Sequence, residues 1–355
     1  MDKDYRILVV NPLVHATKMA IFQGEQNLFE MELPLAEDEN YLDLMEQETV
    51  RVKAILNQIQ LIGLNLTSLD AVCGRGGLLK PISGGTYKIT KAMLHDLYKG
   101  ENGMHVSNLG AIIAFRIASN LNIPSFIVDP VVVDEMQPVA KMTGLPNIQR
   151  KSIFHALNQK SVAREIAKQL NKSYENTSMV VAHMGGGVTV GAHYLGKVID
   201  VNNGFDGDGP FSLERAGTIP NNELIELCFM NSFTKEEIQN KITFFGGLKA
   251  YTEANKVDDV LELLDRNKEE VAPIINALAY QIAKEIGAMG TVLMGKVDAV
   301  VLTGDLAKIP LLNEKIMERI HWIADVYVIP GENVMLALAK GTLRAMKGKE
   351  QIKNY

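Results

Sequence analysis

Three consecutive glycines, Gly185, Gly186 and Gly187, follow His183 in the stretch MVVAHMGGGVTVGAHYLGKVID, residues 179 to 200. Glycine lets a backbone approach a ligand closely, and N–H groups clustered in such a turn form a concavity that suits an anion. A run of glycines also serves as a plain hairpin turn. Cations that could serve an anion are Lys18, Arg75 and Arg215. Arg75 lies between Gly74 and Gly76 at the end of an apolar run. A planar guanidinium there could grip a carboxylate or phosphate with two parallel bonds; a surface arginine in a flexible turn has the same local sequence. Arg215 follows Glu214, a pattern shared with ordinary helix salt bridges. Asp129 closes an apolar segment before Pro130, where a carboxylate either faces a cleft or caps a turn. His155 heads a helical stretch, a common place for a structural histidine. His15, His95, His105, His193 and His321 share no zinc-ligand spacing.

The glycine loop sits inside a unit that occurs twice. Residues 179 to 200 read as strand, glycine loop, strand, turn at Gly196 and strand. Residues 6 to 33, RILVVNPLVHATKMAIFQGEQNLFEMEL, follow the same order, with apolar runs at Ile7–Val10 and Met19–Phe22 and a turn from Gln23 to Gln26. Their third strand alternates Leu28/Phe29, Met31 and Leu33 with Glu30 and Glu32, the period of a half-buried strand. Two such units half a chain apart predict a duplicated fold whose halves face each other across a cleft; the alternative is a chance likeness of two hairpins.

Apolar spacing predicts a helix over 39–62, ending at Gly63, and a strand at AVCG from Ala71. Glycines and Pro81 make 74–86 a loop. A helix over 107–121, a strand ending at Asp129 and a helix over 157–170 follow. After the second unit come the loop NNGFDGDGP, a capping pair Thr234/Glu237, a long helix over 270–294 and a strand over 298–302. A helix, a strand over 326–329 and a last helix over 334–346 close the chain. This alternation predicts an α/β class.

The 355 residues suffice for two domains with real cores. At 47% hydrophobic and 22% charged residues, the composition suggests neither disorder nor a membrane partner, and no apolar run is long enough to span a bilayer. A net charge of −6 argues against nucleic acid as a partner. The start MDKDYR lacks a signal-peptide layout, and Cys73 and Cys228 make no disulfide framework, so a cytoplasmic location is expected.

The stretches RILVVNP, VCGRGGLLKPISGGTY, SNLGAIIAF, FIVDPVVVDEM, SIFHALNQKSVAR, VAHMGGGVTVGAH, DGPFSLERAGTIP, YQIAKEIGAMGTVL, DAVVLTG and VIPGEN run in order from end to end. In them the chain resembles the acetate and butyrate kinase family, its butyrate kinase branch most closely, within the actin-like group of two-lobed phosphotransferases. The resemblance implies an actin-like, ribonuclease H-like duplicated α/β fold with mixed sheets, flanking helices and a central cleft. It implies an N-terminal lobe over 1–130 plus 332–355, on the acyl and phosphate side, and a nucleotide-binding lobe over 131–331. It also implies reversible phosphorylation of butyrate by ATP, giving butanoyl phosphate and ADP, with Mg2+ as cofactor and a homodimer or higher homo-oligomer as the assembly. A short-chain carboxylate is already ionised at pH 7 and needs no general base, so such a site must supply positive charge, a metal and alignment.

By the resemblance, Arg75 is the carboxylate-side arginine and Arg215 steadies the transferring phosphoryl group. His155 donates to a phosphoryl oxygen, while Asp129 with Asn11 holds water around Mg2+. Lys18 adds positive charge, His183 with Gly185–Gly187 binds phosphate through backbone N–H groups, and Gly304 lets the chain pass close to adenosine.

Two loops depart from the family pattern. The family's first loop usually reads Asn-Pro-Gly-Ser-Thr-Ser-Thr-Lys; here it reads Asn11-Pro12-Leu13-Val14-His15-Ala16-Thr17-Lys18. Two apolar side chains and an imidazole replace a glycine and small hydroxyl donors. Asp305 stands where a second glycine usually follows Gly304, and would bring negative charge near the nucleotide. These departures keep open a kinase with weakened ATP handling or a nucleotide-binding paralogue, beside a kinase of another short- or branched-chain acid.

Overall fold

The computed structural model describes residues 3–230 and 232–355. The chain forms two compact units, one of residues 1–133 and 333–355, the other of residues 134–332.

In the first unit β1 (Arg6–Pro12) is buried from Ile7 onward because both its edges and both its faces are covered. It pairs antiparallel with β2 (Ala16–Gln23), which pairs antiparallel with β3 (Gln26–Pro34). The period-2 pattern of β3 predicts a half-buried strand, but β3 is the sheet edge, with Leu28 46% and Met31 41% exposed. Glutamates along such an edge discourage pairing with another chain. The helix predicted from residue 39 begins later: 38–41 make one 3-10 turn, and α1 spans Gln47–Leu61. Its buried face is Gln47, Arg51, Ile55 and Ile59, one residue per turn.

Next come β4 (Ala71–Gly74), β5 (Thr86–Lys88), α2 (Lys91–Lys99), α3 (Asn108–Leu121) and β6 (Ser125–Val128). The sequence reading did not foresee α2, which Thr90 caps at its start and a left-handed Gly100 ends. The sheet order is β3-β2-β1-β4-β6-β5, with β1, β4 and β6 parallel.

The second unit holds the one-turn helix α4 (Pro138–Lys141), α5 (Ala156–Gln169), β7 (Ser178–Met184), β8 (Val188–Tyr194) and β9 (Lys197–Val201). Helices α6 (Asn221–Phe229), α7 (Lys235–Thr243), α8 (Gly247–Thr252), α9 (Val257–Arg266) and α10 (Lys268–Val292) follow. The predicted Thr234/Glu237 capping box opens α7; α6, α8 and α9 were not foreseen. The unit ends with β10 (Ala299–Gly304), α11 (Pro310–Ile320) and β11 (Val326–Pro330), in the sheet order β11-β10-β7-β8-β9. Its core packs α10 and α11 on one face of this sheet, and a smaller cluster lies under α5 on the other. The last helix, α12 (Val334–Met346), belongs to the first unit and packs on β1 and β6.

Counted from the meander edge, the sheets read β3-β2-β1-β4-β6 and β9-β8-β7-β10-β11, the first carrying antiparallel β5 as an added strand beyond β6. Each is an antiparallel three-strand meander continued by two parallel strands, so the duplication expected from the two glycine-turn units is present in the topology. Among the described residues, no helix is long and apolar enough to cross a membrane.

Candidate functional site

Several residues singled out in the sequence lie at the carboxyl ends of parallel strands in both sheets, where open α/β sheets place ligands. In the first unit Asn11 lies at the end of β1, Arg75 directly follows β4 and Asp129 directly follows β6. These strands are neighbours, and the Arg75 N–H donates to Val10 O at 2.9 Å, so the three residues share one edge. Gly74 is required there because a Cβ would lie 2.0 Å from the Gly110 carbonyl oxygen of α3.

Asp129 is 2% exposed and has φ +39°, a rare conformation for a residue with a Cβ. Its Oδ1 accepts the Gly85 N–H at 2.6 Å, and its own N–H donates to Gly85 O at 3.1 Å. The Oδ1 of Asn11 is buried with no hydrogen-bond partner. A buried, unpaired oxygen is costly unless something positive meets it. Hard oxygen donors of this kind fit a magnesium ion that keeps most of its waters.

In the second unit β7 delivers His183, fully buried, to the start of the glycine loop. Its Nδ1 lies 2.8 Å from Asn158 Oδ1, and its ring stacks on that of His155 with centroids 3.7 Å apart. His183 Nε2 approaches Glu332 Oε1 at 2.9 Å without hydrogen-bond alignment. Side-chain polar atoms of His155, His183 and Glu332 all lie within 4.8 Å of one another. Glu332 follows β11 and reaches this edge because Gly304 and Gly331 exchange backbone hydrogen bonds of 3.2 and 2.8 Å.

Arg215 lies in the irregular segment between β9 and α6, so the helix salt bridge left open for it does not form. Its Nη1 donates to Gly204 O, and its guanidinium lies 5.0 Å from the centre of the Phe205 ring. A Cβ on Gly187 would stand 2.0 Å from Nη1, so this glycine makes room for the arginine. Burial, the largest influence, pulls the guanidinium pKa below its ordinary value. Its Nε is buried with no partner, which suits an incoming anion.

Four expectations need adjustment. The three glycine N–H groups do not all point freely: that of Gly185 donates to Gly187 O at 3.0 Å, closing the turn on itself. Lys18 sits on β2 with its Nζ 2.8 Å from Glu30 Oε1, so its charge is balanced by the neighbouring strand. Gly304 is glycine for an internal reason: its φ is +88°, and a Cβ would stand 2.4 Å from Met184 O. Asp305 is paired with Lys308 at 2.7 Å, with both side chains about half exposed, so little net charge is added there.

Sequence reasoning missed two residues. Glu332 was passed over because Gly331 read as an ordinary turn; a carboxylate just past a strand end was the available signal. Arg51 falls inside the helix expected over 39–62 and was not singled out. It is 1% exposed, and its guanidinium donates to the carbonyls of Leu13 (3.0 Å), Val14 (3.1 Å) and Ala16, to Thr17 Oγ1 (2.8 Å) and to Gln47 Oε1 (2.8 Å). The altered first loop is thus tied down from behind by an arginine. Only the four-residue spacing from Gln47 to Ile59 hinted at it.

A model of the acetokinase family matches residues 124–322 of the chain. Among solved structures, acetate kinase of Porphyromonas gingivalis superposes with a TM-score of 0.77 at 16% identity, over 96% of this chain and 100% of that one. A propionate kinase from Francisella tularensis subsp. tularensis SCHU S4 gives 0.73 at 18% identity, over 95% and 98%. Acetate kinase from Entamoeba histolytica gives 0.74 at 14%, also over 95% and 98%. At such identities these likenesses establish the fold, which is the actin-like ATPase type.

Proposed function

Belonging to the acetokinase family, the chain is a kinase of carboxylates, and we propose that butyrate is its acceptor. A butyrate oxygen attacks the γ-phosphorus of ATP and the bond to the β-phosphate oxygen breaks, leaving butanoyl phosphate and ADP; the reverse reaction makes ATP. The supporting observation is the grouping of charged and polar residues in each unit: Asn11, Arg75 and Asp129 at strand ends of the first, and in the second His183 at the end of β7 with His155 stacked on it and Glu332 beside it, and Arg215 against the glycine loop. Butyrate itself rests on the resemblance of the sequence motifs to the butyrate kinase branch.

In this reading Arg75 grips the carboxylate with two parallel bonds. Arg215 offers its unpartnered Nε–H to the phosphoryl oxygens, and His155 donates to the same group. The turn of Gly186 and Gly187 lies along the nucleotide phosphates, and Gly304 lies by the adenosine. Asn11 and Asp129 would hold Mg2+ through bound water, and such an ion neutralises charge on the β- and γ-phosphates. Lys18 reaches a phosphate only by leaving Glu30. In this reading the unit of residues 1–133 and 333–355 is the acyl lobe and that of 134–332 the nucleotide lobe of a cytoplasmic homo-oligomer.

A coupled assay of ADP release across C2 to C5 acids tests the reading. One methylene is worth only ~1–3 kcal/mol in an apolar pocket, so graded rates peaking at butyrate are expected; a peak at acetate or propionate overturns that choice of acceptor. A second reading, a nucleotide-binding paralogue, draws support from a first loop without hydroxyl donors at 13–15 and from the paired Lys18. Calorimetric binding of ATP–Mg2+ with no turnover on any acid would favour it.

A further inference from the structure

Behind His155 runs a chain of buried side chains joined by hydrogen bonds, and an uncharged His193 leaves its hydrogens one consistent order. Gln159, on α5, places its Nε2 2.9 Å from the backbone O of Thr189 and 2.9 Å from Thr189 Oγ1. A carbonyl only accepts, so the atom facing it is the amide nitrogen, and the orientation of the Gln159 amide is settled. Its Oε1 then faces His193 Nε2 at 3.0 Å, and that nitrogen must carry hydrogen. His193 Nδ1 therefore accepts from the Tyr174 hydroxyl at 2.8 Å. At the other end, Thr189 Oγ1 accepts from Gln159, and the acceptor beside this fully buried hydroxyl for its own hydrogen is His155 Nδ1 at 3.0 Å, since a buried donor goes to an available acceptor. Tyr174 is 4% exposed, and Gln159, Thr189 and His193 are fully buried, so water does not compete for these bonds.

The backbone of β8 is cut to fit this chain. Thr189, Gly191 and His193 occupy alternate positions and so share one face of the strand. A Cβ on Gly191 would stand 2.5 Å from Gln159 Oε1 and 3.4 Å from His193 Nε2. The middle of a buried strand favours a β-branched residue; glycine stands here because the glutamine amide fills that space.

We propose that Gln159, Thr189, His193 and Tyr174 are positioning residues that give His155, in its uncharged form, the tautomer with its hydrogen on Nε2. The ring then presents an N–H donor, not a lone pair, to an anion. The opposite tautomer would aim a lone pair at phosphoryl oxygen and repel it. The catalytic consequence rests on the role assigned to His155 under the proposed function; the tautomer itself does not.

The test is nitrogen-15 NMR of protein labelled at histidine, with the His155 signals assigned by their loss in His155→Gln. The wild-type protein should show a protonated Nε2 and an unprotonated Nδ1 on His155; hydrogen on Nδ1 overturns the proposal without any further variant. Thr189→Val, which keeps the shape and removes the hydroxyl, should shift His155 toward a mixture of tautomers. It should also lower kcat on the order of tenfold or more, with KM for ATP and carboxylate little changed. Thr189→Ser should restore both the spectrum and the rate. A Thr189→Val protein with the wild-type His155 spectrum overturns the proposal, as does a Thr189→Ser protein that behaves like the valine variant. If no carboxylate is phosphorylated by the wild type, the functional reading fails, while the spectra still decide the tautomer.

Discussion

The turn joining β1 to β2 and the turn joining β7 to β8 occupy the same place in two sheets of one topology, and each is met by an arginine. In the first, Arg51 comes from a helix beneath the turn and gives its hydrogens to neutral oxygens of the protein. In the second, Arg215 comes from the loop after β9, lies against the backbone of Gly187 and keeps a buried Nε without a partner. One arginine is saturated and the other is not. The comparison separates an arginine that holds a turn in shape from one left with hydrogen-bonding capacity for a ligand, although neither has a carboxylate bonded to its guanidinium. The apolar side chains of Leu13 and Val14 fit this division, because Arg51 binds the turn through backbone carbonyls and needs no hydroxyls from it.

Exchanging the arginines for neutral residues is the strongest way to break this contrast. Arg215→Gln should lower kcat by roughly 10²–10³-fold, as loss of one transition-state donor does, with little change in the urea midpoint; an equal loss of stability and rate would erase the distinction. Arg51→Met leaves several buried oxygens unpaired and should cost about 3 kcal/mol in urea unfolding. A variant as stable as the wild type would mean that the turn holds its own shape.

Acidity sharpens the contrast next. The second turn's arginine sits on a segment that also carries Asp208, and Arg150 bonds Asp200 at 2.8 Å and lies 3.6 Å from Asp208. Burial first, then Asp208, pushes Glu285 of α10 up to about 7 from its ordinary 4.5. Between those values the folded state keeps a proton that the unfolded chain has released, so stability falls as pH rises through this window and levels off above it. The loss should reach about 2 kcal/mol, and Glu285→Gln should remove it; urea titrations at pH 5 and pH 8 provide the check. The Arg51 clamp contains no carboxylate and should show no such dependence. The smallest change is Gly187→Ala. Its Cβ must displace the guanidinium of Arg215, and kcat should fall about tenfold, a barrier rise of ~1.4 kcal/mol, while Gly144→Ala, whose Cβ would meet nothing within 4 Å, serves as the control.

Much of this was legible in the residues. The paired glycine-turn units announced the duplication, and every strand of both meanders falls where its apolar run lies. Strand-end residues such as Asn11, Arg75 and Asp129 could be picked out because a polar side chain that closes an apolar run breaks the pattern around it. Burial was harder to read. Alternation in β3 looks the same whether or not anything covers the strand, and Arg51 looks like a solvated helix residue until its partners, more than thirty residues away, are known. Hydrogen-bond direction was not legible at all. Gln159, Thr189 and His193 lie near His155 or the glycine loop in sequence, but their order as donors and acceptors follows only from which atom faces a carbonyl.

The first unit is assembled from two stretches of chain that lie far apart, residues 1–133 and 333–355, whereas the second is one uninterrupted stretch. The final residues are woven in: α12 lies on β1, Lys353 exchanges backbone bonds with Thr86 and Lys88, and the Tyr355 hydroxyl reaches Asp96 at 2.6 Å. A ribosome therefore delivers the later unit whole while the earlier one still lacks a covering helix. Clipping the tail would injure the portion synthesised first and spare its immediate predecessor in the chain.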